Sequence, residues 1–314
     1  MYILFGLIAL YFQIIVYEGG RYIFTKLNKV DVEEFTIGIG FKIFSRKIKG
    51  TTYNFKIIPL GGYLVFNNDE DNERAYGQKS LAVKLGLCAS GIIMSIISVI
   101  LLMTISSSVY GYKSNVINKV NSDNRLISVG DRIISVNNRE VFTGNDAIYT
   151  MNFAGKDGVI SIEDKNGSNK NLKLGDFSYK KLELNNITET NFLNSAEMGT
   201  SSTFNLIKNT YKEFYRMIIK ESNLREYFSN LCEVVDQSAK GINSFMYKLL
   251  WFIIYINSTL ICLNIMPLPI FDGGKIIIEL INSISKNGIS SRVMSNMSIG
   301  SFIAVILIII IMII

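Results

Sequence analysis

Four stretches of this chain carry no charged side chain, and their lengths constrain the fold more than any other feature. They contain 17, 28, 23 and 22 residues and lie at Met1–Tyr17, Leu85–Tyr112, Leu249–Phe271 and Val293–Ile314. A helix needs about 20 apolar residues to cross the hydrocarbon core of a bilayer, so the last three are long enough. The first is long enough if its helix continues to residue 22. The sequence therefore predicts an α-helical integral membrane protein with four transmembrane helices, at 1–22, 85–112, 249–271 and 293–314.

The amino-acid composition agrees with a membrane protein and excludes several kinds of site. Hydrophobic residues make up 49% of the 314 residues and charged residues only 18%, which argues against a disordered or ordinary cytosolic chain. The chain contains no histidine, so every metal site or catalytic step that needs an imidazole is excluded. The net charge of +6 is typical of loops that flank membrane spans, and no basic stripe indicates a nucleic-acid partner.

Basic residues near the first span predict the topology. None precedes this span, whereas Arg21, Lys26 and Lys29 follow it, and the positive-inside rule then places the N-terminus outside. We expect the long loop at 113–248 to be extracytoplasmic as well.

Residues 35–66, between the first two spans, have the pattern of a β-hairpin. Aromatic and β-branched residues alternate on both sides of a turn at Lys49-Gly50. Pro59 and Gly61-Gly62 are expected to break the second strand.

The external loop predicts a small α+β domain at 113–180 followed by a linker at 181–248. Short strands are indicated at Val116–Val120, Asp131–Val136 and Gly158–Ile162, with a short helix at Asp146–Met151. In the linker, apolar residues recur at helical spacing and basic residues lie off that face. The apolar positions are Ile207, Tyr211, Phe214 and Ile218. We expect an amphipathic helix that lies on the membrane or packs on the spans, with binding to a partner as the alternative.

Two short stretches near the ends of the first and third spans carry a family resemblance. They read Tyr17-Glu18-Gly19-Gly20-Arg21 and Asn264-Ile-Met-Pro267-Leu-Pro269-Ile-Phe-Asp272-Gly273-Gly274. Together they resemble the site-2 protease family of intramembrane zinc metalloproteases, in particular the bacterial members that cleave anti-sigma factors. In that family the first stretch is His-Glu-x-x-His and the second is Asn-x-x-Pro-x-Pro-x-x-Asp-Gly. The two His and the Asp bind zinc, and the Glu is the general base.

The resemblance extends over nearly the whole chain and implies an architecture. The segment at 32–63 looks like the family's membrane-associated β-hairpin, and Gly130–Val141 resembles the central strand of its extracytoplasmic PDZ domain. The resemblance therefore implies a membrane half at 1–112, a PDZ-like domain at 113–180, a linker at 181–248 and a second membrane half at 249–314. A bacterial cell membrane is the implied location.

The departures from the family pattern are concentrated in the chemistry. Tyr17 and Arg21 stand at the two zinc-histidine positions, and Lys275 replaces a histidine that often follows Asp-Gly-Gly. Only Glu18, at the base position, and Asp272, at the third ligand position, remain. A permanently charged guanidinium cannot bind a metal and repels a dication, so no zinc and no other cofactor is expected here.

The remaining charges still need an explanation, because an ionised group inside a bilayer costs at least ~2.5 kcal/mol when it lacks compensation. Arg21 and Lys275 can balance Glu18 and Asp272. One hypothesis is a salt bridge between Arg21 and Asp272 that replaces zinc as the tie between two spans. The alternative is that both cations extend to the interface and contact nothing in particular. A proton-sharing Glu18–Asp272 dyad is disfavoured by the neighbouring Arg21, and Cys262 has no histidine to activate it.

The sequence thus predicts a catalytically inactive site-2-protease homologue, a pseudoprotease that binds transmembrane or membrane-anchored protein segments or regulates a partner. Asn264, Pro267 and Pro269 would break a helix beside the former active site, and the hairpin edges could pair with an extended peptide. These features could equally serve only to end a span and to pack. Two other functions stay open: an active zinc metalloprotease with non-standard ligands that performs regulated intramembrane proteolysis, and a passive subunit of a transport or secretion complex.

Overall fold

The computed structural model describes residues 1–67, 71–120, 126–176, 179–188, 191–219, 221–242, 244–284, 289 and 291–313. The chain forms two compact units. One comprises Met1–Ser98 with Thr259–Ile311, and the other comprises Val99–Ser258 with Met312–Ile314. In chain order the helices are α1 (Tyr2–Leu27), α2 (Leu81–Tyr110), α3 (Gly144–Ala154), α4 (Phe192–Ile218), α5 (Leu224–Ser238), α6 (Phe245–Ile265), α7 (Asp272–Ile284) and α8 (Ser291–Ile313).

Three of these helices, α1, α2 and α6, are long and apolar enough to cross a membrane, as judged on the described residues. α8 coincides with the fourth predicted span, but its apolar stretch over described residues, Asn296–Leu307, is shorter. The third predicted span differs from the structure at its end. The helix stops at Ile265 rather than at Phe271, because Pro267 and Pro269 cannot donate backbone hydrogen bonds to continue it.

The predicted hairpin is present as β1 (Val32–Ile48) and β2 (Thr51–Phe66). The expectation that Pro59 and the glycines break the second strand is wrong, because the strand bends there and continues. Phe35 of β1 pairs with both Tyr53 and Leu64, so the two halves of β2 flank the same stretch of β1. Gly38 and Gly40, at φ +83° and +85°, supply the bends in β1.

The second unit contains a six-stranded sheet with the order β7-β6-β4-β3-β8, in which β5 pairs with β4. Its strands are β3 (Tyr112–Lys119), β4 (Arg132–Val136), β5 (Arg139–Glu140), β6 (Val159–Glu163), β7 (Asn169–Lys173) and β8 (Glu183–Ile187). The predicted strands near 116–120, 131–136 and 158–162 are thus confirmed. The helix predicted at Asp146–Met151 is also confirmed as α3, which begins with a capping box formed by Thr143 and Asp146.

Aromatic rings join this domain to α6. Tyr255 of α6 stacks on Tyr149 of α3 at a centroid distance of 5.6 Å, and Tyr149 contacts Phe153 at 4.6 Å. Phe153 in turn contacts Tyr227 of α5 at 5.2 Å. Because these rings are buried, they hold α3, α5 and α6 together.

Candidate functional site at the ends of α1 and α6

The first half of the site lies on the second half of α1. Residues three and four apart are neighbours on a helix surface, so Arg21 can reach Glu18 and lies near Tyr17. Nη1 of Arg21 is 3.1 Å from Oε2 of Glu18 and 3.4 Å from Oε1. The Glu18 side chain is only 2% exposed, and the Arg21 side chain is 13% exposed.

Two glycines bring other elements close to these residues. A Cβ atom at Gly62 of β2 would lie 2.7 Å from Cγ of Glu18, so only glycine lets the strand pass beside this carboxylate. A Cβ atom at Gly91 of α2 would lie 2.5 Å from the ring of Tyr17. The strand and α2 therefore enclose Glu18 and Tyr17.

The second half of the site is the start of α7. Pro267 and Pro269 lie in the short connection after α6, and Asp272 is the first residue of α7. A Cβ atom at Gly273 would lie 2.2 Å from the carbonyl oxygen of Ile265, and the chain can fold back this tightly only because the residue is glycine. The turn leaves the Asp272 carboxylate fully buried in the first turn of a helix, where the helix dipole favours a negative charge.

Both oxygens of the Asp272 carboxylate have protein partners. The Tyr17 hydroxyl donates a hydrogen bond to Oδ2. Nζ of Lys275, one turn further along α7, lies 3.1 Å from Oδ1. Tyr17 therefore connects α1 to α7, while Lys275 neutralises Asp272 from within the same helix.

This arrangement differs from the predicted Arg21–Asp272 salt bridge. Each cation pairs with the carboxylate three residues before it on its own helix, and no salt bridge joins Arg21 to Asp272, both of which are among the described residues. The physical reason is that i,i+3 spacing gives each carboxylate a local cation. The tie between the two segments is the Tyr17 hydroxyl, at a position the family resemblance assigns to a zinc ligand.

These residues do not fit a zinc ion. A catalytic zinc needs about three nitrogen, sulfur or oxygen ligands at roughly 2.0–2.3 Å and an open position for water. Here both Asp272 oxygens accept from other groups, and the Glu18 carboxylate is occupied by a guanidinium. Within the described part of the chain, no group of three or more His, Cys, Asp or Glu side chains is placed to hold a metal.

The predicted substrate-side residues lie around the break between α6 and α7. Asn264 is half-buried in the last turn of α6, Pro267 is exposed, and Pro269 is half-buried. They therefore border the site without joining its network of charges.

Sequence reasoning missed the contribution of two glycines, Gly62 and Gly91, and the hydrogen bond that the Tyr17 hydroxyl donates. The Gly61-Gly62 pair is predicted from the sequence to break the strand, although a close approach of the backbone is another common reason for glycine in a strand. Gly91 lies in an apolar helix, where a glycine often marks close packing against a bulky neighbour. Tyr17 was considered only as a poor metal ligand and not as a donor.

Comparison with known proteins gives a consistent result. The profile described as "Peptidase family M50" matches residues 5–309. The chain is similar to two proteins that carry the name "Putative zinc metalloprotease". The one from Clostridium perfringens is 25% identical over 93% of this chain and 91% of its own length. The one from Clostridium acetobutylicum is 28% identical over 90% and 87%. A protein of the same name from Borreliella burgdorferi is 51% identical over 63 residues, which are 20% of this chain and 14% of that protein.

Proposed function

The chain belongs to peptidase family M50, the site-2 protease family, and we propose that it is an integral membrane member without proteolytic activity. In this proposal it binds transmembrane or membrane-anchored protein segments and so regulates a partner. It also has four spans, an extracytoplasmic N-terminus and a PDZ-like external domain.

One observation carries the proposal: both carboxylates that zinc chemistry would require at this site are bonded to other side chains. The Tyr17 hydroxyl and the Lys275 ammonium hold the Asp272 carboxylate, and Arg21 holds the carboxylate of Glu18. A general base must be able to take a proton from a metal-bound water, whereas the Glu18 carboxylate already accepts hydrogen bonds from the Arg21 guanidinium. The site is thus closed by its own side chains.

Binding is supported by surfaces that remain available in each unit. Near the charged site, Pro267 is exposed in a short non-helical connection, where backbone groups could pair with an unwound segment. In the external domain, β8 is an edge strand, and a cleft of about 430 Å³ lies between it and α3. An extended peptide could add to this edge, which is the usual way that such sheets recognise peptides.

Proteolysis of a reporter tests the proposal. The purified protein, reconstituted in vesicles with a single-span reporter that carries a Gly-Pro break, should leave the reporter intact, and Glu18→Gln should change nothing. Cleavage that Glu18→Gln abolishes would instead establish an active enzyme, since Glu18 stands at the general-base position of the family motif.

Binding of the same reporter to the protein is measured by photo-crosslinking. For this, a photo-crosslinking residue replaces Pro267 of the protein. The control carries this residue at Lys173, which is exposed on β7. We expect a crosslink from position 267 to the broken reporter and little from position 173. Equal crosslinking from both positions, or none from 267, would contradict binding at this site and favour a passive subunit.

A further inference from the structure

The exposed face of α4 is apolar over its second half. Four residues at helical spacing, Phe204, Tyr211, Tyr215 and Ile218, are each 50–61% exposed. The opposite face is buried, and most of its residues are small or polar, such as Thr203, Asn209 and Glu213, although it also contains Leu206, Phe214 and Met217. α4 therefore exposes a second set of apolar side chains, whereas an ordinary surface helix exposes polar residues on that side.

Contacts with the spanning helices α2 and α6 show where along their length α4 crosses them. A Cβ atom at Gly199 would lie 2.7 Å from Oγ1 of Thr104, and the Thr203 hydroxyl donates to Sδ of Met103 at 3.3 Å. Met103 precedes the end of α2, at Tyr110, by seven residues. At 1.5 Å per residue, α4 therefore crosses α2 about 10 Å inside its end.

The contact with α6 places α4 at a similar distance from the end of that helix. Leu206 and Asn209 of α4 line a small cavity with Trp251 and Tyr255 of α6. Trp251 is six residues from the start of α6 at Phe245, which is again about 9 Å. The ends of α2 and α6 lie side by side, since the rings of Tyr110 and Tyr247 are 5.1 Å apart. α4 thus runs across both spans where the apolar core of a bilayer meets its headgroups.

Basic side chains accompany the apolar stripe. Lys208 is exposed and Lys212 half-exposed, whereas the acidic Glu213 is buried and paired with Arg139 and Arg216. Partial burial, followed by the like charges of Arg139 and Lys208, lowers the pKa of Lys212. The surface beside the stripe therefore has a positive potential, which an anionic headgroup would satisfy.

We infer that α4 is an interfacial helix, which inserts Phe204, Tyr211, Tyr215 and Ile218 into the bilayer and places Lys208 and Lys212 among anionic lipid headgroups. An amphipathic helix of this kind lies in the interface plane with its apolar face buried by about 5–10 Å, which matches the level set by α2 and α6. Tyrosines are also enriched at this depth. The lipid, rather than a second protein, covers the stripe.

The single tryptophan of the chain allows a direct test. In the full-length protein with Trp251→Phe, one new tryptophan is introduced as Tyr215→Trp, and Phe142→Trp serves as the control. Phe142 is 51% exposed and lies outside α4. Fluorescence is measured in vesicles that contain brominated phosphatidylcholine, with acrylamide as the aqueous quencher.

We expect brominated lipid to quench the tryptophan at 215 several-fold more strongly than the one at 142, and acrylamide to quench it less. Quenching by acrylamide alone, as at 142, would overturn the inference in favour of a solvated helix. Protection from both quenchers would overturn it in favour of a protein partner or a second copy. Tyr211→Trp provides a second reporter should Tyr215→Trp fail to fold.

The inference that Lys208 and Lys212 lie among anionic headgroups is tested by adding phosphatidylglycerol to the same vesicles. Brominated-lipid quenching at 215 should rise with the anionic fraction, and Lys208→Gln with Lys212→Gln should remove this rise. Quenching that is independent of both lipid charge and these substitutions would overturn the preference for anionic lipid.

Discussion

Glu18 in α1 and Glu213 in α4 are both buried glutamates, yet their cations come from different places. Glu18 is neutralised by Arg21, three residues later on the same helix. Glu213 is held by Arg139 from β5 and by Arg216 from its own helix, with Nη1 of Arg216 at 3.0 Å. The pair in the second unit therefore joins two elements, whereas the pair in the first unit neutralises a charge within one helix.

The difference shows that the two units of this chain use different contacts to hold their helices and strands together. In the second unit, an ion pair and a row of aromatic rings link the elements. In the first unit, the hydrogen bond from Tyr17 to Asp272 links α1 to α7, and the charges of Glu18 and Asp272 are each balanced by a cation on the same helix. Where the family resemblance implies a metal, a tyrosine hydroxyl joins the two segments here.

The largest expected effect is that of Arg21→Met, which removes the only cation paired with Glu18 among the described residues. Breaking a buried pair in this way costs about 3–5 kcal/mol of unfolding free energy. Arg139→Met should cost clearly less, because Arg216 still pairs with Glu213. Unfolding in mixed detergent micelles measures both.

The double variant Glu18→Gln with Arg21→Met is the control for this prediction. It should lose much less stability than Arg21→Met alone, since no buried charge remains unpaired. A double variant as unstable as the single one would mean that Arg21 acts through packing.

A smaller effect is expected when the hydroxyl link is removed. Tyr17→Phe leaves Oδ2 of Asp272 without its donor, and hydrogen bonds to charged groups contribute about 1.5–3 kcal/mol. A double-mutant cycle of Tyr17→Phe with Asp272→Asn should show coupling of this order. The cycle of Arg21→Met with Asp272→Asn should be closer to additive, as residues without a shared contact usually are. The opposite ranking would restore the predicted Arg21–Asp272 pair.

The smallest expected effect is a dependence of stability on pH that arises in the second unit alone. Lys113 is buried, and its ammonium donates to the carbonyl oxygens of Gln237 and Lys240. Burial, and then the charge of Lys240, lowers the pKa of Lys113 to about 8 from its ordinary 10.5. Between these values the unfolded chain binds more protons than the folded one, so raising the pH across this window stabilises the fold. The melting temperature relative to that of Lys113→Met should rise by a few degrees from pH 8 to 10.5, and a flat difference would contradict the shift.

Much of the fold could be predicted because its signals are local. The charge-free stretches gave α1, α2 and α6, and the turn at Lys49-Gly50 gave the hairpin. α5 was missed although Asn223 accepts from Glu226 as a cap and apolar residues follow at helical spacing. β8 was missed because its polar sequence, Glu183–Ile187, becomes a strand only by pairing with β3.

The site could be predicted only in part, for a reason of geometry. The motif identified Tyr17, Glu18, Arg21 and Asp272 as neighbours. Which groups pair depends on side-chain reach, and the i,i+3 spacing of both ion pairs was a signal that the prediction did not use. The Tyr17–Asp272 contact needs the packing of α1 against α7, which no local pattern contains.

Zinc content is the most direct test of the central claim that side chains have replaced the metal. Elemental analysis should find no stoichiometric zinc in the detergent-purified protein. Tyr17→His together with Arg21→His, which rebuilds His-Glu-Gly-Gly-His, should bind close to one zinc per chain, and adding Asp272→Ala should abolish this binding. One zinc per chain in the unaltered protein, lost on Asp272→Ala, would contradict the account.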